Sequence, residues 1–370
     1  MQNIFVETTQ WCDVSNLLDN QIQWDMSELR RVAGLFDDGL LLVDYKKRIH
    51  FANSAASKMV GEELVNRDFS AIFDNEAVDD IFNNLSAKSN PQEFIHTQQK
   101  GVKRQLRVKF SYLSEVHIAV SLMDMTLRRN LDKVRRDFVA NVSHELRSPL
   151  TSLIGFIETM RADEEIDGDT RKHFLSIMDE ESKRMTRLID DLISLSRVEV
   201  EEHIIPDELV DLGEVTSSVI ELFHDRARRH NMQIVLDNQV KLTPELSTIY
   251  GERDEIVEVI HNLIENAIKY GYPDSVIIIQ LAEVKNNQLS LAVTNSGDGI
   301  EERHIPRLTE RFYRVDKARS RQKGGTGLGL AIVKHIINRH RGQLSIRSEL
   351  RKTTCFTVLL PLANQTRRHF

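Results

Sequence analysis

Apolar and polar positions change their period along the chain. Between residues 29 and 124 they alternate. GLLLVDYKKRIHFAN (39–53) reads as strand, charged turn and strand, and Ser54 to Val60 reads as a helix. KRQLRVKFSYL (103–113) and VHIAVSLMD (116–124) alternate again, as half-buried antiparallel strands do. Strands, helices and strands in this order predict a small sheet with helices on one face.

From Thr126 the period changes to 3.5: Leu127, Leu131, Val134 and Phe138 are spaced 4, 3 and 4, the seam of a helix that pairs with another. That helix is expected to reach about Met160, roughly 50 Å at 1.5 Å per residue. A polar stretch at 161–169, containing Gly168, reads as a loop. A second helix then carries Phe174, Ile177, Met178, Met185, Leu188, Leu192 and Leu195 on one side. One antiparallel hairpin cannot bury both stripes, so two chains forming a four-helix bundle, a homodimer, is the expected completion.

Residues 206–362 alternate helical stretches (213–230, 253–270, 327–340) with strand-like ones (232–237, 275–284, 288–295, 343–348, 354–360), which predicts an α/β sandwich with a mostly antiparallel sheet. The fold class expected is multidomain α+β. Its parts are a segment 1–28, a mixed unit 29–124, a helical linker 125–137, a hairpin 138–200, the sandwich 206–362 and a tail 363–370.

The 370 residues fit two to three domains, and 41% hydrophobic with 28% charged residues is a soluble globular balance. A net charge of −7 argues against a general nucleic-acid partner. Cys12 and Cys355 show no metal-ligand spacing and no disulfide framework. No apolar run approaches the ~18–20 residues that span a bilayer, and residues 1–28 lack the pattern of a signal peptide. Membrane association is not encoded in this chain, and the expected compartment is the cytoplasm, with membrane association left open should the true start lie upstream.

The chemistry concentrates in three places. FVANVSHELRSPLTSL (138–153) puts His144 on the first long helix, where a neutral imidazole can act as nucleophile and Glu145 can accept a proton from its other ring nitrogen. Pro149 is expected to kink the helix beyond it. A zinc-protease reading fails because position 148 is serine, not a second histidine. In HNLIENAIKY, Asn262 and Asn266 are four apart on one helix face, two amide oxygens suited to Mg²⁺, with Lys269 a turn away. NSGDGI (295–300) and KGGTGLGLAIVK (323–334) follow; the second opens a helix whose free N–H groups favour an anion. Neither a Walker A ending nor a βαβ unit accompanies it.

These segments, in this order, resemble sensor histidine kinases of two-component systems. SHELRSPL resembles the phosphoacceptor box, HNLIENAIKY the N box, NSGDGI and GTGLGL the two glycine boxes, and RFYRVD (311–316) the F box of the nucleotide lid; residues 29–124 resemble a PAS sensor domain. IPRLTERFYRVD followed by GTGLGLAIVKHI is most similar to PhoR-type kinases of phosphate regulation. The resemblance implies a Bergerat-type ATP-binding sandwich and a dimeric phosphotransfer hairpin. His144 would take the γ-phosphoryl of ATP on Nε2, with Glu145 orienting the ring, and pass it to an aspartate on a response regulator receiver domain. Asn266 and Asn262 would hold Mg²⁺, and Lys269 and Tyr270 would contact ATP. Asn295, Gly297, Gly299 and Ile300 would wall the adenine pocket. Gly325, Thr326, Gly327, Leu328, Gly329 and Leu330 would cap the phosphates, and Phe312, Arg314 and Lys317 would belong to the lid. Signalling would be a change in helix packing passed from the PAS-like unit through 124–138.

Three positions depart from the family pattern. Asn295 stands where an aspartate usually accepts from the adenine amino group; its amide keeps one acceptor and adds a donor, so ATP binding is expected to survive with altered pairing. Ser148 stands where threonine or asparagine is tied to phosphatase activity, and its hydroxyl can still position water. SELRKTTCF (348–356) lacks the usual glycine turn. The alternative function is a catalytically silent nucleotide-binding scaffold, favoured by Asn295; a related ATPase that uses the same sandwich as a clamp or a topoisomerase has no need of the box around His144.

Overall fold

The computed structural model describes residues 26–74, 76–98, 103–162, 166–238, 247–284, 287–316 and 325–363. Cys12, Lys317, the segment up to residue 25, the tail beyond 363 and the side chain of Leu131 lie outside the described residues. The chain divides into two compact units, residues 1–137 and 138–370.

In the first unit, α1 (Met26–Ala33) precedes β1 (Gly39–Asp44) and β2 (Ile49–Ala52). Three helices follow: α2 (Ser54–Val60), α3 (Phe69–Ile72) and α4 (Ala77–Asn84). The strands β3 (Gln92–Gln98), β4 (Arg104–Tyr112) and β5 (His117–Asp124) then complete the unit's sheet. The sheet has the order β2-β1-β5-β4-β3 and is antiparallel throughout. The alternation seen in the sequence buries Leu41 and Val43, Leu106, Val108 and Phe110, and Ile118, Val120 and Leu122 against Ala56, Phe69, Phe73, Val78, Ile81 and Phe82 of the helices. One face of the sheet is thus covered, as expected. The buried Asn53 ties the turn before α2: its Oδ1 accepts from Leu40 and Ala56 N–H at 3.0 and 2.9 Å, and its Nδ2 donates to the carbonyls of Ala33 and Asp38, both at 2.9 Å. The β3 strand was not expected, because QEFIHTQ is polar and none of its residues is fully buried.

The helix α5 (Thr126–Ala162) runs without interruption through Pro149. Beyond it α6 (Gly168–Glu201) is capped by Asp167, whose carboxylate accepts from Asp169 and Thr170 N–H, both at 2.9 Å. The expected loop is therefore shorter, and Gly168 opens the helix rather than lying in the turn. The remaining elements are β6 (Leu209–Asp211), α7 (Leu212–Arg229), β7 (Gln233–Asn238), β8 (Thr248–Tyr250), α8 (Arg253–Tyr270), β9 (Val276–Val284), β10 (Gln288–Ser296), a 3₁₀ turn (Glu302–Arg307), α9 (Gly329–Arg339), β11 (Gln343–Ser348) and β12 (Thr353–Pro361).

The second unit's main sheet has the order β11-β12-β10-β9-β7, antiparallel except for the parallel β7–β9 pair. Apolar faces of α7, α8 and α9 (Val219, Phe223, Val259, Leu263, Ile332, Ile336) pack on Ile279, Leu291, Val293 and Val358 of the sheet. Leu188, Leu195 and Val198 of α6 belong to this same core. Leu188 and Leu195 were expected in a bundle seam; here they join the hairpin to the sandwich. The hairpin nevertheless leaves an apolar stripe in water, with Leu150, Ile154 and Ile157 on α5 and Ile189, Ile193 and Val200 on α6 all exposed. No described helix is long and apolar enough to cross a membrane.

Candidate nucleotide site and phosphoacceptor helix

The α8 helix decides the site. Ile256, Val259, Ile260, Leu263, Ile264, Ala267 and Ile268 bury one face in the core. The periodicity that places them inside leaves Glu258, Asn262, Glu265, Asn266 and Lys269 on the other face, where all five line a cavity of about 640 Å³. Among the residues expected at the site, the structure also brings Tyr270, Asn295, Gly297, Gly299, Ile300, Arg314, Gly325, Thr326, Gly327, Gly329 and Leu330 to its wall.

Close backbone approach explains two of the glycines. A Cβ on Gly329 would lie 3.2 Å from Asn262 Cγ and nearer still to Oδ1. Gly299 has φ +73°, and a Cβ there would come within 2.7 Å of Leu350 Cα. Asn262 is oriented by its Nδ2, which donates to the Glu258 carbonyl at 3.0 Å, so its Oδ1 faces the start of α9. Asn295 is buried on β10 opposite Thr354, and its Nδ2 donates to the Ser296 carbonyl at 3.3 Å.

Burial and charge set the ionisation of the cavity. Burial pushes the Asp191 and Glu258 carboxyls up, opposed by hydroxyl hydrogen bonds from Thr326 and Ser194. Burial raises Glu265 too, but Lys269 at 3.3 Å and Arg226 at 2.9 Å outweigh it and hold the carboxyl below its ordinary value. Burial pulls the Lys269 ammonium down, with Glu265 opposing, and pulls His261 down as well.

Three expected residues stand elsewhere. Leu328 is fully buried in the core, and only its backbone N–H faces the glycine box, donating to Thr326 Oγ1 at 3.3 Å. Phe312 does not line the cavity; it sits in the left-handed region at φ +62°, its ring 5.9 Å from that of Phe138 and its N–H donating to the Gly327 carbonyl at 2.8 Å. Glu145, expected to orient His144, instead places Oε2 between Arg184 Nη2 at 3.1 Å and Arg314 Nη2 at 3.2 Å. His144 and Ser148 are exposed on α5.

Sequence reasoning missed the hairpin's share of the cavity. Arg187 and Asp191 reach it from α6, beside Arg226, His261, Asp298, Tyr313 and Thr354. Asp191 Oδ2 accepts from Thr326 Oγ1 at 2.5 Å, and Arg314 Nη2 donates to the Thr326 carbonyl at 2.8 Å. No motif signals Arg187 and Asp191, which reach the cavity only through the packing of α6 on α9, whereas His261, Asp298 and Tyr313 lie inside the boxes already quoted. Lower on the same contact, Ser194 Oγ lies 2.7 and 2.8 Å from the two Glu258 oxygens, and Arg339 joins Glu201, Glu252 and Glu255.

Residues 251–364 match the family described as histidine kinase-, DNA gyrase B-, and HSP90-like ATPase, and residues 134–201 match the His Kinase A (phospho-acceptor) domain. A sensor protein kinase WalK of Staphylococcus aureus is 32% identical over 350 residues, covering 90% of this chain and 81% of that protein. Its counterpart in Staphylococcus saprophyticus is 33% identical over 350 residues, but the chain spans only 55% of that relative's length. The structure of histidine kinase ThkA in complex with response regulator protein TrrA aligns over 91% of this chain and 99% of that one, with a TM-score of 0.53; at 20% identity it supports the fold alone. The relatives carry the name WalK, and the expected likeness to PhoR-type phosphate-regulation kinases finds no support in them. With an N-box helix, two glycine boxes and a phosphoacceptor helix in one unit, the chain belongs to the two-component sensor histidine kinase family.

Proposed function

We propose that this chain is an ATP-dependent protein-histidine kinase that phosphorylates His144 and passes the phosphoryl group to an aspartate on a response regulator. The observation that carries this reading is the convergence of Asn262, Asn266, Lys269, Asn295 and the 325–330 segment on one cavity in the unit that also bears His144. His144 Nε2 would attack the γ-phosphorus while the bond to the β-bridging oxygen breaks and ADP leaves. The imidazole proton on Nδ1 needs an acceptor, and Glu145 is adjacent in sequence. Its carboxylate must first leave Arg184 and Arg314.

Asn262 and Asn266 are the amide oxygens suited to hold Mg²⁺, with the carboxylates Glu258 and Glu265 on the same wall. Bound there, the ion would neutralise charge on the triphosphate during transfer. Asn295 would take the adenine edge. The Ser296 carbonyl can only accept, so it holds the Asn295 NH₂ and leaves Oδ1 as the acceptor for the adenine amino group.

Homodimerisation is supported by the exposed stripe of Leu150, Ile154, Ile157, Ile189 and Ile193, which a second hairpin would cover. Residues 29–124 serve in this reading as a PAS-like input unit, and the exposed Ser148 hydroxyl would position water for dephosphorylation. The silent-scaffold reading keeps one observation, the neutral Asn295. Binding of Mg-ATP to wild type and Asn266→Ala, followed by phosphoryl transfer to wild type and His144→Ala, separates the two. The kinase reading expects binding lost with Asn266 and transfer lost with His144; binding without any transfer supports the scaffold.

A further inference from the structure

The contacts between the hairpin and the nucleotide cavity form one connected chain. Glu145 on α5 holds Arg314, Arg314 holds the Thr326 carbonyl, and the Thr326 hydroxyl donates to Asp191 on α6 at 2.5 Å. Both helices of the hairpin are thereby tied to the two segments, 311–316 and 325–330, that border the cavity.

Asp191 is out of place electrostatically. It is a half-buried carboxylate on a cavity wall that already carries Glu258 and Glu265. The cation on that wall that acts on it, Lys269, is itself engaged by Glu265 at 3.3 Å. Its hydroxyl partner, Thr326, also accepts the Leu328 N–H at the opening of α9, where backbone donors and the helix dipole favour an anion. A carboxylate carried on the hairpin therefore occupies surroundings suited to an anionic ligand.

We propose that Asp191 is an internal anionic competitor: it holds Thr326 in the space the nucleotide phosphates take, so that triphosphate binding and the docked arrangement held by the Asp191–Thr326 contact exclude one another. This rests on the nucleotide reading given above and adds to it a coupling between the cavity and the phosphoacceptor helix. When phosphates displace Asp191 from Thr326 they also draw Arg314 toward themselves, and Glu145 loses one of its two guanidinium partners. The same event that loads the cavity then loosens the carboxylate beside His144, which Arg184 still holds. Linkage makes the coupling reciprocal: triphosphate binding weakens this docking by the same factor by which the docking weakens triphosphate binding.

The test uses the full chain, with calorimetric binding of Mg-ATP and of adenosine to wild type, Asp191→Asn and Asp191→Ala. Asparagine keeps the acceptor for Thr326 and removes only the charge. The expected result is about tenfold tighter Mg-ATP binding in Asp191→Asn, equivalent to about 1.4 kcal/mol, with adenosine affinity unchanged. Asp191→Ala should tighten Mg-ATP at least as much and serves if the asparagine variant folds poorly. ATP and adenosine affinities that shift together, or neither shifting, would overturn the proposal. If wild type binds adenosine and ATP in neither case, the nucleotide reading itself fails, a result distinct from an unchanged ratio.

Discussion

Gly329→Ala tests how tightly the N-box helix and the second glycine box are fitted together. A Cβ at position 329 would meet the Asn262 side chain, lying 3.2 Å from Cγ and nearer to Oδ1, well inside the ~3.5–4.0 Å of comfortable heavy-atom contact. Asn262 cannot simply swing aside without giving up its hydrogen bond to the Glu258 carbonyl. Overpacking of this kind costs about 1–3 kcal/mol. For a unit of this size each kcal/mol lowers Tm by about 2–4 °C, so the expected fall is about 2–12 °C. Thermal melts of wild type, Gly329→Ala, Asn262→Ala and the double variant give the coupling directly. In the Asn262→Ala background the added methyl meets space, and its cost should drop below about 0.5 kcal/mol. An alanine at 329 that costs the same in both backgrounds would refute the fit of these two motifs.

Other expectations follow from the same geometry. Asn53→Ala removes an N-cap and three further turn contacts in the first unit and should destabilise it by about 2–4 kcal/mol in denaturant titration, more than a simple cap loss. Arg339→Met leaves the buried Glu255 without its main cation and should cost about 3–5 kcal/mol, whereas the paired change with Glu255→Gln should recover much of it. Burial holds the His340 imidazole below 6.5, where its Nε2 accepts the Glu252 N–H at 3.1 Å and its Nδ1 donates to the Ile336 carbonyl at 2.8 Å. The unfolded chain binds the proton first, so this contribution is complete above pH 6.5 and is lost as pH falls from there toward the lower folded value. His340→Gln should flatten that acid-side slope in stability measured against pH.

Much of the second unit was legible because its periodicities are clean. The bounds of α8 coincide with the expected 253–270 because buried Ile, Val and Leu recur at helical spacing, and β11 with 343–348 because exposed and half-buried positions alternate along it. The three-residue strands β6 and β8 offered too little pattern to read, and β3 hid behind a polar sequence on a half-buried edge. The glycine boxes were legible as chemistry, yet the particular roles inside them were not. Leu328 turned inward because its side chain completes the core, and Phe312 packs against Phe138 instead of the cavity. Glu145 could not be paired with Arg314 from sequence, because the two are separated by 169 positions and meet only when the hairpin packs on the sandwich. Asp191 is invisible for the same reason.

The central claim is that γ-phosphoryl from ATP reaches His144. The most direct measurement is incubation of the full chain with γ-labelled ATP and Mg²⁺, comparing wild type with His144→Ala and testing the bound label in acid and in alkali. The account predicts label on wild type alone, lost in acid and retained in alkali, as a phosphoramidate behaves. Label that persists on His144→Ala, or none on wild type that binds Mg-ATP, would contradict it.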